Sequence, residues 1–167
     1  MKKKLGFILV MVFAVTLSCM ATAPVNQDNI GKDVFQVIQK YRPYKGVETI
    51  NIGPFIMNLA RLTGTEEAKW VNRVAILSIE KRDVSPKTIR FIEDEMNQAL
   101  NSYETLMETK EGDEEVTILV KSSKNAESIL EMVIFAEETD ELSVIALKGK
   151  IPVSQIMEVA GMAEGLD

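Results

Sequence analysis

A change of hydrophobic period near residue 103 constrains this chain more than any other feature. Upstream of it, Ile89, Ile92, Met96, Ala99, Leu100 and Tyr103 recur mostly at steps of three and four, one face of a helix. Ser85 is placed to cap that helix and Pro86 to open it, while Lys87, Arg90, Glu93, Asp94, Asn97 and Asn101 take the wet side. Downstream the period is two: Val116, Ile118 and Val120 alternate with Thr117, Leu119 and Lys121. Gly112-Asp113 reads as the turn of one hairpin and Glu138-Thr139-Asp140 as the turn of a second. Strands joined by tight turns pair antiparallel.

The chain before this point reads as helix, short strand, helix, strand. Ile30, Val34, Ile38 and Tyr41 keep helical spacing until Pro43 and Gly46. Val47 to Ile52 is a short apolar piece. Pro54 opens a second helix with Ile56, Leu59, Ala60 and Leu62 expected on its inner side, Gly64 closes it, and Thr65 is placed to cap a short turn. Val71 to Glu80 reads as a buried strand. Gly149 is expected to end the last strand, and Pro152 to start a closing helix with Val153, Ile156, Met157 and Ala160 inward. The expected fold is α+β: a mainly antiparallel sheet of four to five strands with helices packed on one face.

The N-terminus reads as an address. Lys2, Lys3 and Lys4 precede an uncharged apolar run from Leu5 to Leu17. That run, as helix, is about 20 Å long, short of the roughly 30 Å hydrocarbon core. With Ser18, Ala21 and Ala23 following, residues 1–23 are expected to be a secretory signal peptide. Residues 24–45 then form a tether and N-terminal helix, 46–163 a single α+β domain, and 164–167 a tail. Leu17-Ser18-Cys19 resembles the end of a bacterial lipobox, with Thr16 where Leu is usual. Cys19, the only cysteine, is thus a candidate lipidation site. The alternative is cleavage after Ala21 or Ala23, which discards it.

Composition excludes whole chemistries. The chain has no His, which removes Ser-His-Asp and Cys-His triads and any zinc site that needs imidazole. Residues 1–23 hold three of the 19 Lys and Arg and none of the 25 acids, so the remainder carries a net charge of −9. That excess repels nucleic acid and anionic lipid. The nine Gly are scattered at turns and form no phosphate loop.

From Glu131 onward the sequence resembles a known family. Glu131-Met132-Val133-Ile134, the acidic turn Glu138-Thr139-Asp140-Glu141-Leu142, and Val144 to Ile151 are similar to the bacterial family called domain of unknown function 4252. The similarity spans roughly residues 47–163, and the last forty are the distinctive ones. The resemblance implies an exported envelope protein of the kind found in Bacteroidota, and it brings no assigned catalytic or binding residue. Gly149 is expected to take a backbone angle closed to other residues.

Glu93, Asp94 and Glu95 could supply a glycosidase-like acid pair, but adjacent helix positions diverge by about 100°, and the solvated face is the expected reading. Glu137, Glu138, Asp140 and Glu141 crowd a hairpin tip where oxygen ligands suit calcium, without an Asp-x-Asp-x-Asp-Gly loop. Met57, Met96, Met107, Met132, Met157 and Met162 raise copper(I), yet they form no Met-x-Met or Met-x-x-Met cluster and read as core. Ser85 and Ser154 have no base partner. No catalytic residue, metal or cofactor is expected.

The expected function is that of a non-catalytic periplasmic lipoprotein with a binding, structural or signalling-associated role, an envelope partner being bound through a sheet face or edge strand. It would touch membrane only through the lipid anchor. The alternatives are a carboxylate-based periplasmic hydrolase or a small-ligand carrier.

Overall fold

The structure, a computed structural model, describes residues 33–62, 64 and 67–153. The elements are α1 (Val34–Tyr41), β1 (Val47–Ile52), α2 (Pro54–Leu62), β2 (Val71–Glu80), α3 (Pro86–Leu100), β3 (Glu104–Glu111), β4 (Glu114–Ser122), β5 (Ser128–Glu137) and β6 (Glu141–Pro152). One antiparallel sheet has the order β1-β2-β6-β5-β4-β3. The fold is α+β, with six strands rather than the expected four to five. The short piece 47–52 is the added edge strand, zipped to β2 from Val47↔Ile79 to Ile52↔Val74. The leader, Cys19, the tether, Ile30, Thr65, Ser154 and the closing helix all lie outside the described residues. Among those that are described, no helix is long and apolar enough to cross a membrane.

The caps form as the residue types require. The Asp33 side chain accepts from Phe35 N at 2.9 Å, and Ser85 Oγ accepts from Thr88 N at 3.2 Å with Pro86 in the first turn. Gly112 opens the β3–β4 turn at φ 63°, a conformation that favours glycine.

The alternation of the strands makes two unlike sheet faces. One carries Ala75, Leu77 and Ile79 of β2, Leu142, Val144 and Ala146 of β6 and Val133 of β5, all covered by α1 and α3. Phe35, Ile38, Ile92 and Met96 seal this core and are essentially inaccessible to water. Burying each such side chain contributes about 1.5–3 kcal/mol. The N-terminal helix is thus part of the same core as the sheet.

The opposite face carries Val74, Ile76 and Ile145, with Ile52, Ile134, Leu147 and Met57 packed around them. Met57 belongs to α2, so the helices do not all share one face.

Gly149 does not end the sheet. β6 continues through it to Pro152, which pairs with Ser128, and helical structure resumes only at Val153. Nor is its backbone angle left-handed; among the described residues the left-handed glycines are Gly46, Gly64 and Gly112. Gly149 is required by proximity. It pairs with Val71 beside a bulge in β2, and an added Cβ would stand 1.9 Å from the Trp70 carbonyl oxygen. That oxygen accepts from Lys150 N at 2.8 Å.

Candidate functional site

Strand pairing sorts the charged loops to two ends of the sheet. The β3–β4 and β5–β6 turns share one end with the exit of β2. The other end holds the entry of β2, the β4–β5 turn, the close of β6, α2, and Asp33 where α1 begins.

At the first end Glu111, Asp113, Glu114, Glu138, Thr139 and Asp140 line a shallow open groove of about 260 Å³. The sequence singled out only the second tip; the acids of the first join it because β4 and β5 are neighbours. Among the described residues no group of three or more carboxylates is placed to hold a metal ion. Glu137 is engaged elsewhere: its Oε1 lies 2.7 Å from Lys81 Nζ, which also donates to Glu138 O at 2.7 Å. Glu141 accepts from Ser78 and Ser143, each at 2.9 Å.

Glu93 is not on a fully solvated face. It is half-buried on α3, and burial first, then repulsion from Glu137, pushes its carboxyl above the usual range while Lys81 pulls it down. Asp94 is exposed, and Glu95 pairs with Lys40 across the α1–α3 contact. Tyr41 beneath that pair is pushed up to about 12 by burial and by Glu95. Met96 and Met132 are core and Met57 is packed, as expected, whereas Met107 is exposed at the sheet edge. Met157 and Met162 lie outside the described residues.

At the second end β5, β6 and the approach to β3 build a polar cluster that the sequence did not reveal. Glu131 accepts from Tyr103 Oη and pairs with Lys148 Nζ at 2.7 Å, its side chain only 14% exposed. Lys121 Nζ stands 5.4 Å from the Tyr103 ring centroid, and the Arg73 guanidinium 4.6 Å from that of Phe35. Burial raises the Tyr103 hydroxyl and Glu131 raises it further. For Glu131 burial acts upward too, but the hydrogen bonds from Lys148 and Tyr103 outweigh it and hold the carboxyl below its ordinary value. Tyr103, Glu131 and Lys148 come from three segments, so no local motif could have announced them. Every group in the cluster is partnered, which suits clamping α3 to the sheet rather than chemistry.

The third feature is α2, and here the sequence expectation is corrected. Its inward side chain is Met57, whereas Ile56, Leu59 and Leu62 face solvent together with Phe55. Phe55 is 79% exposed, Leu59 53% and Leu62 84%. Polar contacts replace the missing apolar ones. The Arg61 guanidinium donates to Ala68 O at 2.5 Å, Asn58 Oδ1 at 2.6 Å, Asn72 Oδ1 at 2.5 Å and Val71 O at 3.0 Å. The available signal was excess: Phe55, Ile56, Met57, Leu59, Ala60 and Leu62 fill more than one stripe of a nine-residue helix.

The pattern described as Domain of unknown function (DUF4252) matches residues 29–159, which takes in every described residue. The chain belongs to this family. The match begins ahead of α1 and so takes in the helix that completes the core, earlier than the residue 47 at which the resemblance was first legible. No curated protein and no solved structure matches the DUF4252 chain.

Proposed function

We propose that this DUF4252 protein is an exported, non-catalytic lipoprotein of the cell envelope. Cys19 tethers it, and the outer half of its sheet binds an envelope protein. The observation that carries the binding reading is β3, an edge strand exposed along its full length with Leu106 and Met107 about half-accessible. A free edge offers a row of backbone donors and acceptors to an added strand. Glu104, Glu108, Lys110 and Glu111, with the bulge between Thr105 and Met107, discourage indiscriminate pairing and leave room for a selective partner.

The test starts with the native N-terminus. Wild-type protein should enter the detergent phase on fractionation and show an acylated Cys19 by mass spectrometry, and Cys19→Ala should lose both. A soluble native species beginning at Thr22 would refute the tether. The protein should also show no turnover on glycoside, ester, peptide and phosphate substrates. A second reading, carboxylate-based hydrolysis, draws on Glu93, whose carboxyl is pushed above its usual range by burial and by the charge of Glu137. Hydrolysis abolished by Glu93→Gln would establish that reading in place of the first.

A further inference from the structure

β3 is the last strand of the sheet, and among the described residues only β4 pairs with it. Neither described end of the chain leads onto it: α1 packs on α3, β1 and β2, and β6 is separated from β3 by β5 and β4. All eight of its residues are exposed. The ladder with β4 fixes which of its backbone groups are free. Glu111↔Glu114 flanks a two-residue turn with Gly112 in its first central position at φ 63°, and such a flanking pair is hydrogen-bonded. Bonded and non-bonded pairs alternate along an antiparallel ladder. Thr109↔Val116 and Met107↔Ile118 are therefore bonded pairs, whereas Glu108↔Thr117 and Lys110↔Glu115 are not. The N–H and C=O groups of Glu108 and Lys110 thus point away from β4, to the open edge. The bulge between Thr105 and Met107 breaks this phase, so the regular free edge runs from Met107 to Glu111.

We propose that this edge pairs with the same edge of a second copy, antiparallel about a two-fold axis at Thr109, so that two six-stranded sheets become one. The proposal rests on the reading of β3 as the binding edge and names its partner. Charge selects the register. A two-fold axis must bring outward-pointing backbone groups onto outward-pointing ones, which within the regular stretch leaves centres at Glu108, Thr109 and Lys110. A centre at Glu108 sets Glu on Glu, and one at Lys110 sets Lys on Lys. The centre at Thr109 sets Glu108 against Lys110 twice, with Thr109 facing Thr109 between the two pairs. Each Lys110, which already meets Glu115 at 2.8 Å, then lies between two carboxylates on one face of the joined sheet. The edge therefore complements itself, which is what singles out a second copy over a foreign strand. The acidic β3–β4 turns of the two copies fall at opposite ends of the paired strands. They stand about 20 Å apart, beyond the screening length of about 8 Å in physiological salt.

The test uses the full chain purified in detergent. Cys19 is the only cysteine, so Cys19→Ala leaves an introduced thiol as the sole one. Thr109→Cys puts two thiols on the axis in a non-hydrogen-bonded pair, with Cα atoms about 4.5 Å apart and within disulfide reach. Mild oxidation should convert most of this variant to a covalent dimer, and should give about tenfold less through Thr105→Cys on the same edge. Glu108→Lys sets Lys against Lys at both pairs and should cut the Thr109→Cys dimer about tenfold. Adding Lys110→Glu restores opposite charges and should restore the yield. Both positions are exposed, so the melting temperature should stay unchanged. A dimer that survives Glu108→Lys, or forms as readily through Thr105→Cys, would overturn the proposal. A photo-reactive residue at 109 in intact cells then separates the partner from the edge, and a product of twice the chain's mass is expected. Capture of a different protein would overturn the second copy and leave the edge reading standing, whereas no product at all would overturn both.

Discussion

Replacing Gly149 with alanine tests the β2–β6 junction more sharply than any core truncation. The added Cβ would stand 1.9 Å from Trp70 O and 2.9 Å from both Trp70 C and Val71 Cα, where real Cβ contacts essentially never fall below 3.0 Å. All three neighbours are backbone, so no rotamer change relieves the overlap. The Trp70 peptide would have to retreat by about 1 Å, loosening the 2.8 Å bond from Lys150 N. Overpacking of this kind costs about 1–3 kcal/mol and a lost backbone hydrogen bond about 1 more, so Gly149→Ala should destabilise by about 2–4 kcal/mol. Urea unfolding followed by far-ultraviolet circular dichroism measures it directly, as a lower midpoint at unchanged slope.

Gly112→Ala is the matched control. That glycine has nothing within 4 Å of a built Cβ but sits at φ 63°. It should cost about 1 kcal/mol from backbone conformation alone. A Gly149→Ala cost below that of Gly112→Ala would show that β2 and β6 do not meet at Trp70, and the β6 extension to Pro152 would fall with it.

The core and the polar cluster give further expectations. Met96 is fully buried and Asp94 is exposed, so Met96→Ala should cost about 2–5 kcal/mol and Asp94→Ala about 0.5 or less by the same unfolding assay; equal costs would mean α3 is rotated. Glu131 has a carboxyl held below its ordinary value, so its stabilisation is present above the ordinary carboxylate range and is lost as pH falls through the folded value. Glu131→Gln should therefore lower stability at neutral pH and flatten the acid limb of a stability-against-pH curve, and an unchanged acid limb would remove Glu131 from the account.

What the sequence disclosed was local. Ser85, Pro86 and the stripe from Ile89 to Tyr103 define α3 because cap, first turn and spacing all lie within one segment. Gly112-Asp113 and Glu138-Thr139-Asp140 mark both hairpins for the same reason. Features set by distant partners were not legible. Val47 to Ile52 read as a short strand, but its place at the sheet edge is set by its pairing with β2, and Gly149 is constrained by Trp70, far away in the chain. The inward side of α2 was misassigned because Arg61 reaches backbone carbonyls, an anchorage that apolar spacing does not register. Tyr103, Glu131 and Lys148 meet through register, which no motif encodes.

The strand order explains why so much depends on distant partners. β1 and β2 form one antiparallel pair and β3, β4 and β5 form a meander, yet the two groups share no ladder with each other. β6, the last strand described, enters between them and pairs with both, Ala75↔Ala146 on one side and Val133↔Ala146 on the other. Its inward residues Leu142, Val144 and Ala146 are fully buried beneath α1 and α3. The α1–α3 core therefore closes only when strands as distant in the chain as β2 and β6, paired from Val71↔Gly149 to Glu80↔Glu141, are in register. The inward face of β6 is structural, whereas Glu141, Lys148 and Lys150 on the same strand are exposed. The exposed surfaces of α2 and the β3 edge lie within the same family match, yet neither contributes a fully buried side chain to the α1–α3 core.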